Sequence, residues 1–328
     1  MIPLTDVSWQ TQSWQQVLSQ GVKTITELNR LLDLDLPEAD TGFPMLIPAT
    51  WLARINPGDP ADPLLLQVLP VLAEQLGDTG FVTDPLQESQ FTENPGMIRK
   101  YQGRVLVIVT GQCAVNCRYC FRRHFPYEDV RPDTRDWDLI AARLTSTTDV
   151  HEVILSGGDP LVLNDRHLAG LISRLEAIPH LRTLRIHSRL PVAIPQRVTP
   201  ALVRTLGETR LKTVLVNHIN HANEIDQTVI NGMQALRLAG VQLLNQSVLL
   251  RGVNDSVQAL TNLSHQLWEA GVLPYYLHQL DPVEGAAHFD VPDPQARQLI
   301  ADVRAKLPGY LVPRLVREIP DRPSKTPL

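Results

Sequence analysis

Apolar positions between Trp9 and Leu34 recur at helical spacing, through Trp14, Val17, Leu18, Val22, Ile25, Leu28, Leu31 and Leu32, with Thr24 placed to cap a second helix. Proline and aspartate cluster between Pro57 and Pro63, a helical run is expected from Leu64 to Leu76, and an irregular stretch follows to Arg99. Near Pro95 the pattern changes. Short β-rich runs now alternate with amphipathic helical runs, with a period of roughly 30 residues. The predicted strands are Val105 to Thr110, Glu152 to Leu155, Thr183 to Ile186, Thr213 to Asn217, Gln242 to Leu249 and Pro274 to Leu280. Helices follow them: Asp165 precedes Leu168, Leu171, Ile172 and Leu175, Thr199-Pro200 forms an N-cap with proline in the first turn, and Asp255 caps Val257, Leu260, Leu263 and Leu267. Gly240 ends the helix carrying Ile225, Val229, Met233 and Leu236, and a last helix runs from Pro294 to Lys306. Six β/α units in series imply α/β architecture, a parallel sheet with right-handed crossovers curled into a partial (β/α)6 TIM-like barrel. The division expected is an N-terminal helical region over 1–95, the barrel over 96–312 and a C-terminal segment over 313–328.

If the strands are ordered this way, polar residues collect at their C-terminal ends, where α/β proteins keep their chemistry. After the first strand come cysteines; after the second, Ser156-Gly157-Gly158-Asp159; after the third, His187-Ser188-Arg189; after the fourth, His218 and Asn220-His221. Asn245-Gln246 lie within the fifth, and Asp281 follows the sixth. One such residue alone is an ordinary hydrogen-bonded core group. A rim of them is a site.

The balance of 30 basic against 35 acidic residues gives no footprint for nucleic acid or an anionic membrane, so a small-molecule substrate is expected. No cationic stretch precedes an apolar core in Met1 to Gln20, and no apolar run approaches the roughly 18 residues of a membrane span. The expected location is cytoplasmic. All three cysteines lie at Cys113, Cys117 and Cys120, a C-x3-C-x2-C spacing on the loop leaving the first strand. An odd count argues against a disulfide framework and for reduced thiolates that hold metal. With His124 the segment also reads as a Cys3His zinc site. The other reading is an iron-sulfur cluster with three thiolate corners and one iron left open, which the position at the mouth of a barrel favours. Only five basic residues are lysines, and Lys325 stands between prolines in Arg322-Pro323-Ser324-Lys325-Thr326-Pro327-Leu328, where a fixed geometry is expected.

The cysteine triad after the first strand and the Gly-Gly pair after the second resemble the radical S-adenosylmethionine (SAM) superfamily. Within it, Cys113 to Arg123, Leu155 to Pro160, Asn245 to Asp255, and Asp281 to Phe289 resemble the lysine 2,3-aminomutase family over roughly residues 95 to 328. The ending Pro323-Ser324-Lys325-Thr326-Pro327 is similar to the branch that supplies β-lysine for modifying elongation factor P. The resemblance implies an isomerase that converts L-α-lysine to β-lysine with a 4Fe-4S cluster on Cys113, Cys117 and Cys120, SAM and pyridoxal phosphate. It assigns SAM contacts to Gly157, Gly158, His218 and Gln246, and the Schiff-base position to Lys325. Lys100, Tyr101 and Arg104 match the phosphate-binding segment, with Lys100 standing where the family typically has arginine. Arg122 matches the residue that meets the substrate carboxylate. Asp281 and Glu318 match the pair that holds the ε-ammonium, Glu318 replacing an aspartate. It also implies an electron-donating reductant and a link to elongation factor P and its lysyl ligase. Longer members continue past the Schiff-base lysine, so family oligomer contacts in that region are not carried over, although a homo-oligomer is compatible with the resemblance. The rival readings are a radical SAM aminomutase for another amino acid, such as glutamate, and a Cys3His zinc-binding protein without catalysis.

Overall fold

Val105, Val107, Ile108 and Val109 are buried in the first long strand, because a parallel strand covered on both faces has no solvent side to alternate toward. The computed structural model describes residues 11–93, 96–130 and 136–328; Trp9 and the boundary expected at Pro95 lie outside them. Among the described residues ten strands form one sheet in sequence order: β1 (Thr92–Glu93), β2 (Met97–Ile98), β3 (Arg104–Thr110), β4 (Glu152–Gly157), β5 (Thr183–Ser188), β6 (Lys212–His218), β7 (Gln242–Val248), β8 (Leu273–His278), β9 (Arg314–Arg317) and β10 (Thr326–Pro327). Strands β3 to β9 pair in parallel, with β1, β2 and β10 antiparallel at the two edges. All the predicted strands form, as β3 to β8, and the protein has the partial-barrel fold.

Two additions matter for function. The short strand β9 docks in parallel on β8, and the chain then turns back so that Thr326 pairs with Arg317. Lys325 is thereby fixed at the barrel mouth. The sheet also slips register between Ile108 and Thr110, at the point where the cysteine loop leaves β3.

Local signals were mostly obeyed. Thr24 and Thr199 cap their helices through Glu27 N and Leu202 N. At one other start the cap is a neighbour of the expected aspartate: Ser256 caps Val257–Glu269, while Asp255 receives Gly252 N instead; Asn164 caps Asp165–Glu176. The run expected from Leu64 to Leu76 is a short helix, Pro63–Leu66, and a separate 3-10 turn, Leu72–Gln75. Pro70 lies between them and cannot continue a helical ladder.

The N-terminal helices share one hydrophobic cluster with the barrel, from Trp14 and Trp51 to Val272. They also reach the cysteine loop directly. Arg118, fully buried, donates to Glu74 through Nε at 2.8 Å and Nη2 at 2.6 Å, and Arg123 donates to the same carboxylate at 2.7 Å. Asn116 N bonds Leu46 O and Arg118 N bonds Gln67 O, so the loop is pinned by backbone as well. No helix among the described residues is long and apolar enough to cross a membrane.

Glu74→Ala leaves two guanidiniums buried without their carboxylate, and is expected to lower stability by about 3–5 kcal/mol, measured by urea unfolding of the metal-free protein. A change within about 0.5 kcal/mol would mean that the ion cluster is not what holds the loop.

Candidate active site

Every residue assigned to the site from sequence lines one cavity of about 550 Å3, which opens at the C-terminal ends of the strands and reaches Arg104 at the start of β3. Cys113, Cys117 and Cys120 form its wall on one side, and Lys325, Glu318 and Asp281 stand among the groups from the far end of the sheet. Burial first, and the neighbouring thiols next, push Cys113 well above the usual thiol range and Cys120 up to about 11. In the free protein these thiols keep their protons until a metal displaces them. His124, the fourth ligand of the zinc reading, is exposed, with Nε2 3.3 Å from Glu284 O. Among the described residues no three His, Cys, Asp or Glu groups converge as a single-ion site. Three thiols on one cavity wall without a fourth protein ligand suit a cluster with an open corner better than tetrahedral zinc.

Gly157 and Gly158 serve a close approach of backbone to backbone. Gly158 N bonds Thr110 O at 2.7 Å and Asp159 N bonds Gln112 O at 2.8 Å, tying the β4 turn to the start of the cysteine loop. A Cβ on Gly157, at φ +126°, would collide with Thr110 O, and one on Gly158 with Gln112 O. Asp159 extends the tie, receiving Ser188 Oγ and the backbone N–H groups of Arg189 and Leu190.

Gln246 and His218 face each other, Nε2 to Nε2 at 2.7 Å. Since the glutamine nitrogen can only donate, His218 accepts there. Burial, followed by Arg189 and Arg122, lowers His218 to about 3, which keeps the ring neutral. Arg122 spans Glu88 with two bonds, Nε at 2.6 Å and Nη2 at 2.8 Å, and gives Nη1 to Ser156 Oγ at 2.9 Å. Burial opposes its charge, but Glu88 more than offsets this and holds it firmly cationic.

At the other end, Lys325 Nζ lies 2.5 Å from Glu318 Oε2 and Lys100 Nζ 3.4 Å from Oε1. Burial opposes ionisation of Glu318, yet Lys325 and Lys100 bring it down to about 2. Asp281 is helped less: burial, then Glu318, pushes it up to about 7 against the pull of Lys325 and Lys100, and its Oδ1 is buried without a partner. The guanidinium of Arg104 stacks on Tyr101 at 4.5 Å.

Several contributors were not assigned from sequence. Glu88, which orients Arg122, lies in a stretch with no periodicity, and nothing local marks it. Arg189, noted on the rim but given no role, donates to Cys117 Sγ at 2.8 Å and to Tyr119 Oη at 2.7 Å, and Gln67 and Glu224 hold its other nitrogen. His187 and His278 line the cavity, each with a buried, unpartnered Nε2, and burial lowers both well below the usual histidine range. His278 ends β8 as His218 ends β6, so the rule that selected His218 would have found it.

The sequence pattern of the radical SAM superfamily matches residues 107–263. The L-lysine 2,3-aminomutase of Escherichia coli is 50% identical over 97% of this chain and 94% of its own length. That of Haemophilus influenzae is 46% identical over 99% of this chain and 98% of its own, and that of Clostridium subterminale is 36% identical over 99% and 79%.

Gly158→Ala is expected to separate the β4 turn from the cysteine loop at a cost of about 1–3 kcal/mol, because the added Cβ would clash with Gln112 O. Iron and sulfide bound per chain after anaerobic reconstitution should fall well below wild type; full incorporation would refute this role for the contact.

Proposed function

The chain belongs to the lysine 2,3-aminomutase family of the radical SAM superfamily and is an isomerase, and from this we propose that it converts free L-α-lysine to β-lysine in the cavity described above. The observation that carries the reading is Asp281: a buried carboxyl with an unpartnered oxygen, beside Glu318, is a receptor for a cation. The terminal ammonium of lysine supplies one. A glutamate side chain would bring a second anion to these carboxylates, which disfavours the rival aminomutase reading.

The residues fit the three groups that such an enzyme needs. Cys113, Cys117 and Cys120 would hold a 4Fe-4S cluster, His218 and Gln246 would face SAM, and Lys100, Tyr101 and Arg104 would meet the phosphate of pyridoxal phosphate bound to Lys325. When bound, the cluster and SAM supply an organic radical on reduction, and the aldehyde cofactor supplies a conjugated system through which nitrogen can pass between carbons. The chain itself does the binding and orienting. Arg122 is held charged and in one rotamer by Glu88 and Ser156, and lines the cavity, where it would meet the substrate carboxylate. Asp281 and Glu318 hold the far end of the substrate, which fixes its length. Neutral His218, and neutral His187 and His278, offer hydrogen bonds without adding charge to a dry site. The similarity of the Lys325 segment to the β-lysine branch supports a further placement, with the product passing to the ligase that modifies elongation factor P.

Anaerobically reconstituted protein, given L-lysine, SAM, pyridoxal phosphate and a reductant, should yield β-lysine on chiral amino-acid analysis. Absence of β-lysine from protein carrying full iron and sulfide, or a preparation with one zinc and no sulfide, would overturn the reading.

Asp281→Asn should weaken lysine binding by about 10- to 100-fold while iron and sulfide content stays unchanged. In the wild type the free carboxyl titrates at about 7 and the bound ammonium needs it ionised. Affinity should therefore rise with pH up to about 7 and then level, and binding at about pH 6 should release a proton, read as buffer-dependent heat. An affinity for lysine that ignores pH in this range would remove Asp281 from the ammonium site.

A further inference from the structure

The carboxylate expected to receive the substrate ammonium already holds one. Lys325 Nζ sits 2.5 Å from Glu318 Oε2, the same carboxylate is shared with Lys100 at 3.4 Å, and neighbouring Asp281 keeps an oxygen without a partner. All of these groups face one cavity. The end of Lys325 is a primary ammonium on a four-carbon stem, which is chemically the end of a lysine substrate.

We infer that in the cofactor-free protein Lys325 occupies the ε-ammonium site as an internal stand-in for the substrate, so that the site opens to lysine only once the nitrogen of Lys325 has been captured by the cofactor aldehyde. The inference rests on the reading that Asp281 and Glu318 receive the substrate ammonium, and it adds an obligatory order to that reading. In the capture step the ammonium of Lys325 gives one proton to solvent, its nitrogen adds to the aldehyde carbon, and water leaves as the C=N bond forms. Three N–H donors on Lys325 become at most one, and Glu318 loses its closest partner. The oxygen that held Lys325, Oε2, is then free toward Asp281 and the incoming cation.

Other features sharpen the competition. Glu318 has two ammoniums and is kept well ionised, while Asp281 has none and is not. A second ammonium entering the cofactor-free site would find the better acceptor taken and the other one partly protonated near neutral pH. Lys325 also rests 5.9 Å from the centre of the Tyr276 ring, a weak cation–π contact that adds to its hold on this position.

The test measures binding without turnover. L-Lysine is titrated calorimetrically into cofactor-free wild type, Lys325→Met and the Lys325→Met/Glu318→Gln double variant, with pyridoxal phosphate-loaded wild type as reference and norleucine as a probe lacking the terminal amine. Lys325→Met should bind lysine about tenfold or more tightly than cofactor-free wild type, because the fraction of vacant sites rises. Norleucine should gain nothing, and the double variant should lose the gain. Circular dichroism checks the fold, and Lys325→Gln serves if the methionine variant does not fold. Equal lysine affinity for cofactor-free wild type and both position-325 variants, with the loaded wild type binding lysine, would overturn the competition and leave the proposed function standing. Absence of lysine binding in the loaded wild type would overturn both.

Discussion

Buried arginines must be neutralised by carboxylates from elsewhere in the chain, and much of this molecule follows from that requirement. Arg118 and Arg123 share Glu74, Arg122 takes Glu88, and Arg189 takes Glu224. Such pairs add little net stability, because desolvation of both partners consumes most of the attraction, but breaking one is expensive. Their effect is therefore on geometry. The cysteine loop and its surroundings hold one arrangement because each alternative would strand a charge. Two of the three carboxylates, Glu74 and Glu88, precede the barrel, so the N-terminal region is part of the site's construction even where it lines no cavity.

Against this background the unpaired groups are informative. Asp281, His187 and His278 are buried in the same cavity with polar atoms that no protein group satisfies. The arginines around the cysteines each have their charge countered by a carboxylate, although Arg123 and Arg189 keep an unpartnered Nε, and these three groups have no such counterpart at the atoms concerned. The cavity thus has countered charges around the cysteines and unpartnered groups at the ends of β5 and β8 and just beyond β8.

Much of the barrel could be read from sequence because apolar runs such as Val105 to Val109 and Leu243-Leu244 need only local pattern, and the polar residue after each run marks the strand's C-terminal end. Strand β9 was missed since Leu315 and Val316 are too few to make a periodicity. Pro70 was in plain view and should have divided the run from Leu64. The cap assignment at Asp255 was one residue off, where the neighbouring Ser256 competes for the same backbone N–H groups. Glu88 and Glu74 could not have been found: their role is set by arginines 34 and 44 residues away in sequence, and no local rule connects them. The glycine pair was noticed as a cofactor approach, and it also makes a tight contact with the protein's own backbone at Thr110 and Gln112 that no local rule reveals.

The pairing of Thr326 with Arg317 closes the intervening chain into a loop whose two ends are adjacent. Glu318 and Lys325 both lie within it, and it joins the barrel through the short β9. A segment with neighbouring ends can be exchanged without moving the strands that flank it. The amine, its counter-ion and the distance between them thus form a cassette that can be exchanged as a unit while the thiol end of the barrel is left untouched.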